Sequence, residues 1–125
     1  MAHHAIPAVS ADLPAHELRL TAREYEADSQ QHVNNCVYLD WLQVALQFAA
    51  THSGLTTERI VYPRRYQLEY LRQVLPGDTM RIYTRLERLG SRGLRAWQQI
   101  VSASNDELAF SARSEHLLLA KSPTS

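Results

Sequence analysis

Between Asn34 and about His52 the chain carries a helix pattern whose apolar positions cover most of the circumference, and this feature restricts the fold more than any other. Val37, Tyr38, Trp41, Leu42, Val44, Ala45, Phe48 and Ala49 leave only a narrow polar stripe of Asp40, Gln43 and Gln47. A helix with so wide an apolar surface must be wrapped on most sides. Asn34 or a neighbour can cap its start, and Gly54 is a natural stop.

The wrapping has to come from strands. Ahead of the helix, from His16 to Arg23, Leu18, Leu20 and Ala22 alternate with Glu17, Arg19, Thr21 and Arg23, the period of two that marks a half-buried strand. Beyond the helix, Leu55 to Glu58 reads as a connector, and Tyr66, Leu68 and Tyr70 alternate with Arg65, Gln67 and Glu69. Pro76-Gly77-Asp78 is a turn, and Thr79 to Leu89 alternates again through Met80, Ile82, Thr84 and Leu86. Gly90 to Gly93 closes a hairpin onto Leu94 to Ala103, Asn105-Asp106 turns the chain, and Glu107 to Ala120 is the last run. The expected order is a strand, a long helix, then four strands joined by successive hairpins. That is an α+β fold, a curved antiparallel five-stranded sheet wrapped around one central helix. An open sheet leaves edges that invite a second copy, so a homodimer with a continuous sheet is expected, with a tetramer as a further assembly.

A chain of 125 residues has room for one such domain, expected over 15–120 between a flexible leader at 1–14 and a tail at 121–125. Lys plus Arg is 13 and Asp plus Glu is 13, so charge argues for neither a nucleic-acid nor a membrane partner. Every cation but Lys121 is an arginine; a cluster such as Arg64-Arg65 can meet CoA phosphates or an acidic carrier protein, although arginines on strands usually form a solvated face. A lone cysteine, Cys36, excludes an intramolecular disulfide and agrees with a reducing compartment. With no secretory signal pattern and no long apolar run, a cytoplasmic location is expected.

Chemistry concentrates between Asp28 and Trp41. Asp28, Gln30, His32, Asn34 and Asn35 put a carboxylate, two kinds of amide and an imidazole just before a helix start, where unpaired backbone N–H groups can receive a developing negative charge. Thioester hydrolysis needs a base or nucleophile, a donor for the tetrahedral oxyanion and an apolar slot for the acyl group. Asp28 can supply the first, and the amides near Asn34 and Asn35 the second. Each residue also has a plainer reading. Asp28 can cap the turn, His32 can pack the loop, Cys36 suits a small apolar filler, and Tyr38 and Trp41 suit the core or a pocket wall. No residue pattern calls for a metal or another cofactor.

The run Asp28-x-Gln30-x-His32-Val33-Asn34-Asn35-x-x-Tyr38-x-x-Trp41 resembles the motif of plant acyl-ACP thioesterases and, more broadly, the 4-hydroxybenzoyl-CoA-thioesterase-like group of hotdog-fold proteins. Leu68-Glu69-Tyr70-x-Arg72 and Arg113-Ser114-Glu115-His116 are similar to two further strand motifs of that family, so the likeness spans roughly 16 to 120. The resemblance implies a hotdog fold, dimers with acyl-thioester sites at the subunit interface, and an acyl-CoA or acyl-ACP substrate. It also implies that Asp28 is the general base or nucleophile and that a backbone N–H at the helix start polarises the carbonyl. His32, Gln30, Asn34, Asn35, Tyr38 and Trp41 fall on the remaining motif positions.

Departures from the plant pattern keep other readings open. Gln30 stands where those enzymes have Asn, and Gln73-Val74 stand where they have Glu-Cys, so a second acid and a thiol are both missing. Gln73 can orient water through its amide but cannot take its proton. A non-catalytic hotdog module that binds an acyl thioester is therefore the main alternative. A hotdog hydratase or dehydratase is a weaker one, because its motif sets His five residues after Asp with Asn-Pro between.

Overall fold

The wide apolar helix is present as α1, Asn35–His52, in a computed structural model that describes residues 16–22, 35–56, 59–75 and 77–121, with the backbone alone for Asn35 and Cys36. The expected leader, the proposed cap at Asn34 and the tail beyond Lys121 lie outside the described residues. The helix stops where expected. Gly54 has a φ of 78°, its N–H donates to the Thr51 carbonyl, and the Leu55 N–H reaches back to the Ala50 carbonyl at 2.9 Å. This left-handed cap satisfies carbonyls that the last turn leaves open, while Leu55 packs on the same cluster as Ala50. The solvent stripe is wider than the sequence suggests, because Val44 joins Asp40, Gln43 and Gln47 on it and is 53% exposed. Small residues on the opposite side, Ala45, Ala49 and Ala50, let the helix approach the sheet closely.

Five strands surround it: β1 His16–Thr21, β2 Arg59–Tyr70, β3 Thr79–Leu89, β4 Gly93–Ser102 and β5 Leu108–Ala120. All pairings are antiparallel, and the sheet order is β1-β3-β4-β5-β2. The hairpins at 90–93 and 103–107 are as expected, with positive φ at Gly90 and Asp106 supporting the two turns. The hairpin expected at Pro76-Gly77-Asp78 is not one. β2 does not pair with β3; it lies against β5 at the far edge, and β3 takes β1 as its second neighbour.

Two features account for that correction. Pro63 lacks an N–H, which confines its strand to an edge, and β2 is bulged between Pro63 and Arg65. A second irregularity, between Ile100 and Val101 of β4, leaves Ala109 without a register partner, and its carbonyl accepts the N–H groups of Leu71 and Arg72 at 2.9 and 3.1 Å. From there the connector crosses the sheet end to β1, where Gly77 N–H donates to the Ala22 carbonyl at 2.8 Å. On the way, Val74 N–H donates to the Tyr38 hydroxyl at 2.9 Å, tying the crossing to the first turn of α1.

The core falls into two clusters. One gathers Tyr38, Trp41, Leu42, Ile82, Ile100 and Phe110 at the helix start, and the other gathers Leu46, Ala49, Leu86, Leu94 and Leu118 at its end. Thr84, Gln98, Ser114 and His116 are buried polar residues on the same concave face; Thr84 and Gln98 each lie two residues from a member of either cluster, while Ser114 and His116 lie between Ala112 of the first and Leu118 of the second. They form a polar seam across the middle of an otherwise apolar core. Gln98 Nε2 donates to both the Leu42 carbonyl (2.8 Å) and the Thr84 hydroxyl (3.0 Å).

Tyr38 is fully buried and its hydroxyl is the acceptor of a buried amide, so Tyr38→Phe leaves the Val74 N–H without a partner. An unmade bond of this kind costs about 1–3 kcal/mol, and urea denaturation should show a loss in that range with an unchanged m-value.

Candidate active site

The first turn of α1, the crossing connector and the end of the sheet meet at one corner of the molecule. Tyr38 anchors it. Its ring stacks on Phe110 at 5.0 Å and meets Trp41 and Tyr70 edge-on, each at 5.5 Å. Burial holds the Tyr38 hydroxyl protonated far above its ordinary range, so it serves this corner as a hydrogen-bonding group and not as an acid. Trp41 is buried behind it. Both residues therefore stand in the inner wall of the corner.

Gln73, the residue before Val74, is exposed on the connector. It lines a cavity of about 330 Å³ together with Arg72, Asp78, Ser102, Asn105 and Glu107. Both acids in that cavity are already engaged: Glu107 pairs with Arg72 at 2.6 Å and accepts from Asn105 Nδ2 at 2.7 Å. Asp78 likewise accepts the Leu75 N–H at 3.0 Å. Of the residues singled out in the sequence, the structure brings Gln73, Tyr38 and Trp41 to this corner, with the backbone of Asn35 opening the helix beside them. Asp28, Gln30, His32 and Asn34, and the side chain of Asn35, lie outside the described residues.

A second cavity, of about 190 Å³, opens further along the helix between Gln43, Leu46 and Gln47 of α1, Val61, Pro63 and Tyr66 of β2, and His116 of β5. The bulge in β2 shapes it. One extra residue between Pro63 and Arg65 changes the alternation, so that Val61 and Pro63 before it, and Tyr66 and Tyr70 after it, all face the helix side. His116 is 2% exposed, its Nε2 is 2.8 Å from the Ser114 hydroxyl, and its ring meets Tyr66 edge-on at 5.6 Å. Burial lowers the His116 pKa to about 4, which keeps the imidazole neutral at pH 7. None of these groups stood out in the sequence as a site. The available signal was the inward register of the last strand, on which Ser114 and His116 interrupt the apolar positions Ala112 and Leu118.

Comparison with known proteins now decides the family. The model of the Thioesterase-like superfamily matches residues 23–121, a stretch that takes in the Asp28–Trp41 run and all of the sheet except β1. The chain belongs to that superfamily. No curated protein sequence matches it. Solved structures of low identity share its fold. The 1,4-dihydroxy-2-naphthoyl-CoA thioesterase Slr0204 from Synechocystis is 12% identical with a TM-score of 0.76, over 90% of each chain. The PaaI protein of E. coli, from its phenylacetic acid degradation operon, is 16% identical with a TM-score of 0.74, over 87% of this chain and 79% of its own. The 12:0-ACP thioesterase of Umbellularia californica is 15% identical with a TM-score of 0.72, over 85% of this chain but only 43% of its own. The hotdog arrangement expected from the resemblance is thus the one found. No helix among the described residues is long and apolar enough to cross a membrane.

The buried, neutral state of His116 links stability to pH with a defined sign. Its folded pKa of about 4 lies below the ordinary 6.5, so the unfolded chain binds the proton first as pH falls. The contribution is complete above about pH 6.5 and is lost progressively towards pH 4. His16, whose pKa is also lowered, by burial and then by His52, adds to the same window. Urea denaturation at pH 7.5 and 4.5 should show a smaller acid loss for His116→Leu than for the wild type.

Proposed function

We propose that the protein hydrolyses an acyl-CoA or acyl-ACP thioester to the free acid and the thiol, with the thioester held at the start of α1. The observation that carries this reading is the superfamily match over 23–121, which contains the whole Asp28–Trp41 run and the helix start at Asn35. Asp28 is the general base or the nucleophile. As a base it takes a proton from water while the oxygen attacks the carbonyl carbon, after which the C–S bond breaks and the thiolate leaves and is protonated. Backbone N–H groups at Asn34 and Asn35 receive the oxyanion. One such donor is worth about 3 kcal/mol, on the order of a hundredfold in rate, so the carboxylate has to provide much of the remainder. His32, Gln30 and Gln73 position water and the carbonyl, while Tyr38 and Trp41 back the acyl slot.

The site is expected to form in a homodimer. β2 is a bare edge, and Ile60, Tyr62, Leu68 and Tyr70 on it are exposed apolar residues, with Leu75, Leu119 and Val44 exposed elsewhere on the surface. A second copy that extends the sheet along this edge would cover apolar surface that a lone protomer leaves in water. A second reading, binding without turnover, is favoured by Gln73 and Val74. The first offers an amide instead of a carboxylate, and the second is buried with its N–H committed to Tyr38.

Two measurements test this. Across a panel of acyl-CoA substrates followed by thiol release, the wild type should turn over and Asp28→Asn should lower kcat/KM by at least about a hundredfold. Equal rates for the two proteins would remove Asp28 from the chemistry, and absence of turnover in both would favour the binding module. Sedimentation at micromolar concentration should give a dimer; a monomer alone would contradict an interface-built site.

A further inference from the structure

Arg19, Arg65, Arg72, Arg81 and Arg95 each face an acid. For Arg65 that acid is Glu115, which takes half of the Arg64-Arg65 pair away from any phosphate. At the turn between β3 and β4 the pattern is different. Arg59 Nη1 donates to the Ser91 carbonyl at 2.8 Å, and Arg88 Nη2 donates to the same oxygen at 3.3 Å, although β2 and β3 are not neighbours in the sheet. Arg92, which is exposed, is the next residue of the turn. Three cations thus gather on one turn, and no acid among the described residues pairs with any of them.

The carbonyl fixes where two of these guanidinium groups sit without cancelling their charge. It is a dipole, and each guanidinium keeps further N–H donors in its planar fork. The surrounding segments 59–66, 88–94 and 116–121 contain no acid, and the nearest ones along the strands, Glu87 and Glu115, are both taken by Arg95. In a chain whose formal charges balance at 13 against 13, so local an excess is not a by-product of composition. Two forks held beside one oxygen fit the compact charge of a phosphate, which accepts from two guanidinium groups at once. An acidic protein helix spreads its carboxylates over several turns and would call for cations spread to match.

Position decides which phosphate. The turn is flanked by Leu86 and Leu94, which pack at the end of α1, whereas the thioester is held at its start. The 18 residues of the helix separate the two by roughly 27 Å at 1.5 Å per residue. The pantetheine arm of coenzyme A, about as long as five extended residues or roughly 17 Å, cannot bridge that within one protomer. A second copy shortens the path. Two-fold symmetry makes a continuous sheet antiparallel where β2 meets β2, so the partner's Arg59, at the start of its strand, comes towards the end where Tyr70 meets Tyr38 edge-on. We propose that Arg59, Arg88 and Arg92 form a phosphate site for the nucleotide end of coenzyme A, presented by one protomer to the thioester held by the other. The assignment to coenzyme A rests on the hydrolysis and the dimer proposed above; the phosphate site itself does not.

Binding is measured first, without turnover. Calorimetry on the intact protein should show adenosine 3′,5′-bisphosphate binding at least about tenfold more tightly than adenosine, with a preference that shrinks as salt rises. Arg92→Gln breaks no hydrogen bond among the described residues, so it should keep the wild-type far-UV spectrum and lose part of the preference; adding Arg88→Gln should remove the rest. Equal affinities for the two probes, or a preference that survives the double substitution, would overturn the site. The link to coenzyme A is read next from two substrates. The ratio of kcat/KM for octanoyl-CoA over octanoyl-pantetheine should fall by at least about tenfold in the double variant, through KM. An unchanged ratio overturns the link while thioester hydrolysis stands. Mixing Asp28→Asn protomers with the double variant should restore low-KM turnover of octanoyl-CoA, because the mixed dimer holds one site with both an intact carboxylate and intact arginines across the interface. Failure to restore it overturns presentation across the dimer. Selective bisphosphate binding without turnover of any thioester upholds the phosphate site and overturns hydrolysis instead.

Discussion

One buried amide holds the long helix in place against the sheet. Apolar burial is non-directional, and a helix with leucines and alanines along its inner side could slide or rotate on a concave sheet at modest expense. Gln98 removes that freedom. Its Nε2 reaches the Leu42 carbonyl in the middle of α1 and the Thr84 hydroxyl on β3 at once, and a displaced helix would strand that buried group. With α1 held there, its first turn lies under the connector that Val74 belongs to, and its last turn lies where Gly54 can end it.

The same anchor sets two chemically distinct neighbourhoods along one helix. At its start, aromatic rings from α1, β2 and β5 enclose Tyr38, and the connector brings Gln73 to the rim. Two turns later the lining becomes polar, with His116 neutral because burial disfavours its charged form. The bulge in β2 joins the two neighbourhoods: without the extra residue, Tyr66 and Tyr70 would face the opposite side of the sheet from Val61.

Much of the fold was legible in the sequence because its signals are local. The apolar surface of the helix, the glycine that ends it and the alternation of each strand all depend on residues a few positions apart. The order of strands was not, because it depends on a proline and on an irregularity in a distant strand pair that opens the Ala109 carbonyl to the connector. Val44 departs from the apolar pattern of the helix for a similar reason. Its apolar character says nothing about which side of α1 the sheet occupies, and the sheet leaves that side open. At the candidate site the motif from Asp28 to Trp41 was readable as a string of residue types. The polar seam was not, since Ser114 and His116 appear in the string only as part of the Arg113–His116 motif, and their burial depends on the inward register of β5.

That seam also divides the interior into compartments with little shared packing. Substitutions that enlarge or shrink the leucine-rich compartment near the helix end, around Leu46, Leu86 and Leu94, need not disturb the aromatic compartment under the connector. A lineage built on this scaffold can therefore retailor what it accommodates at one end while the chemistry at the other stays put, with the row of hydroxyl, amide and imidazole groups acting as a firebreak between them.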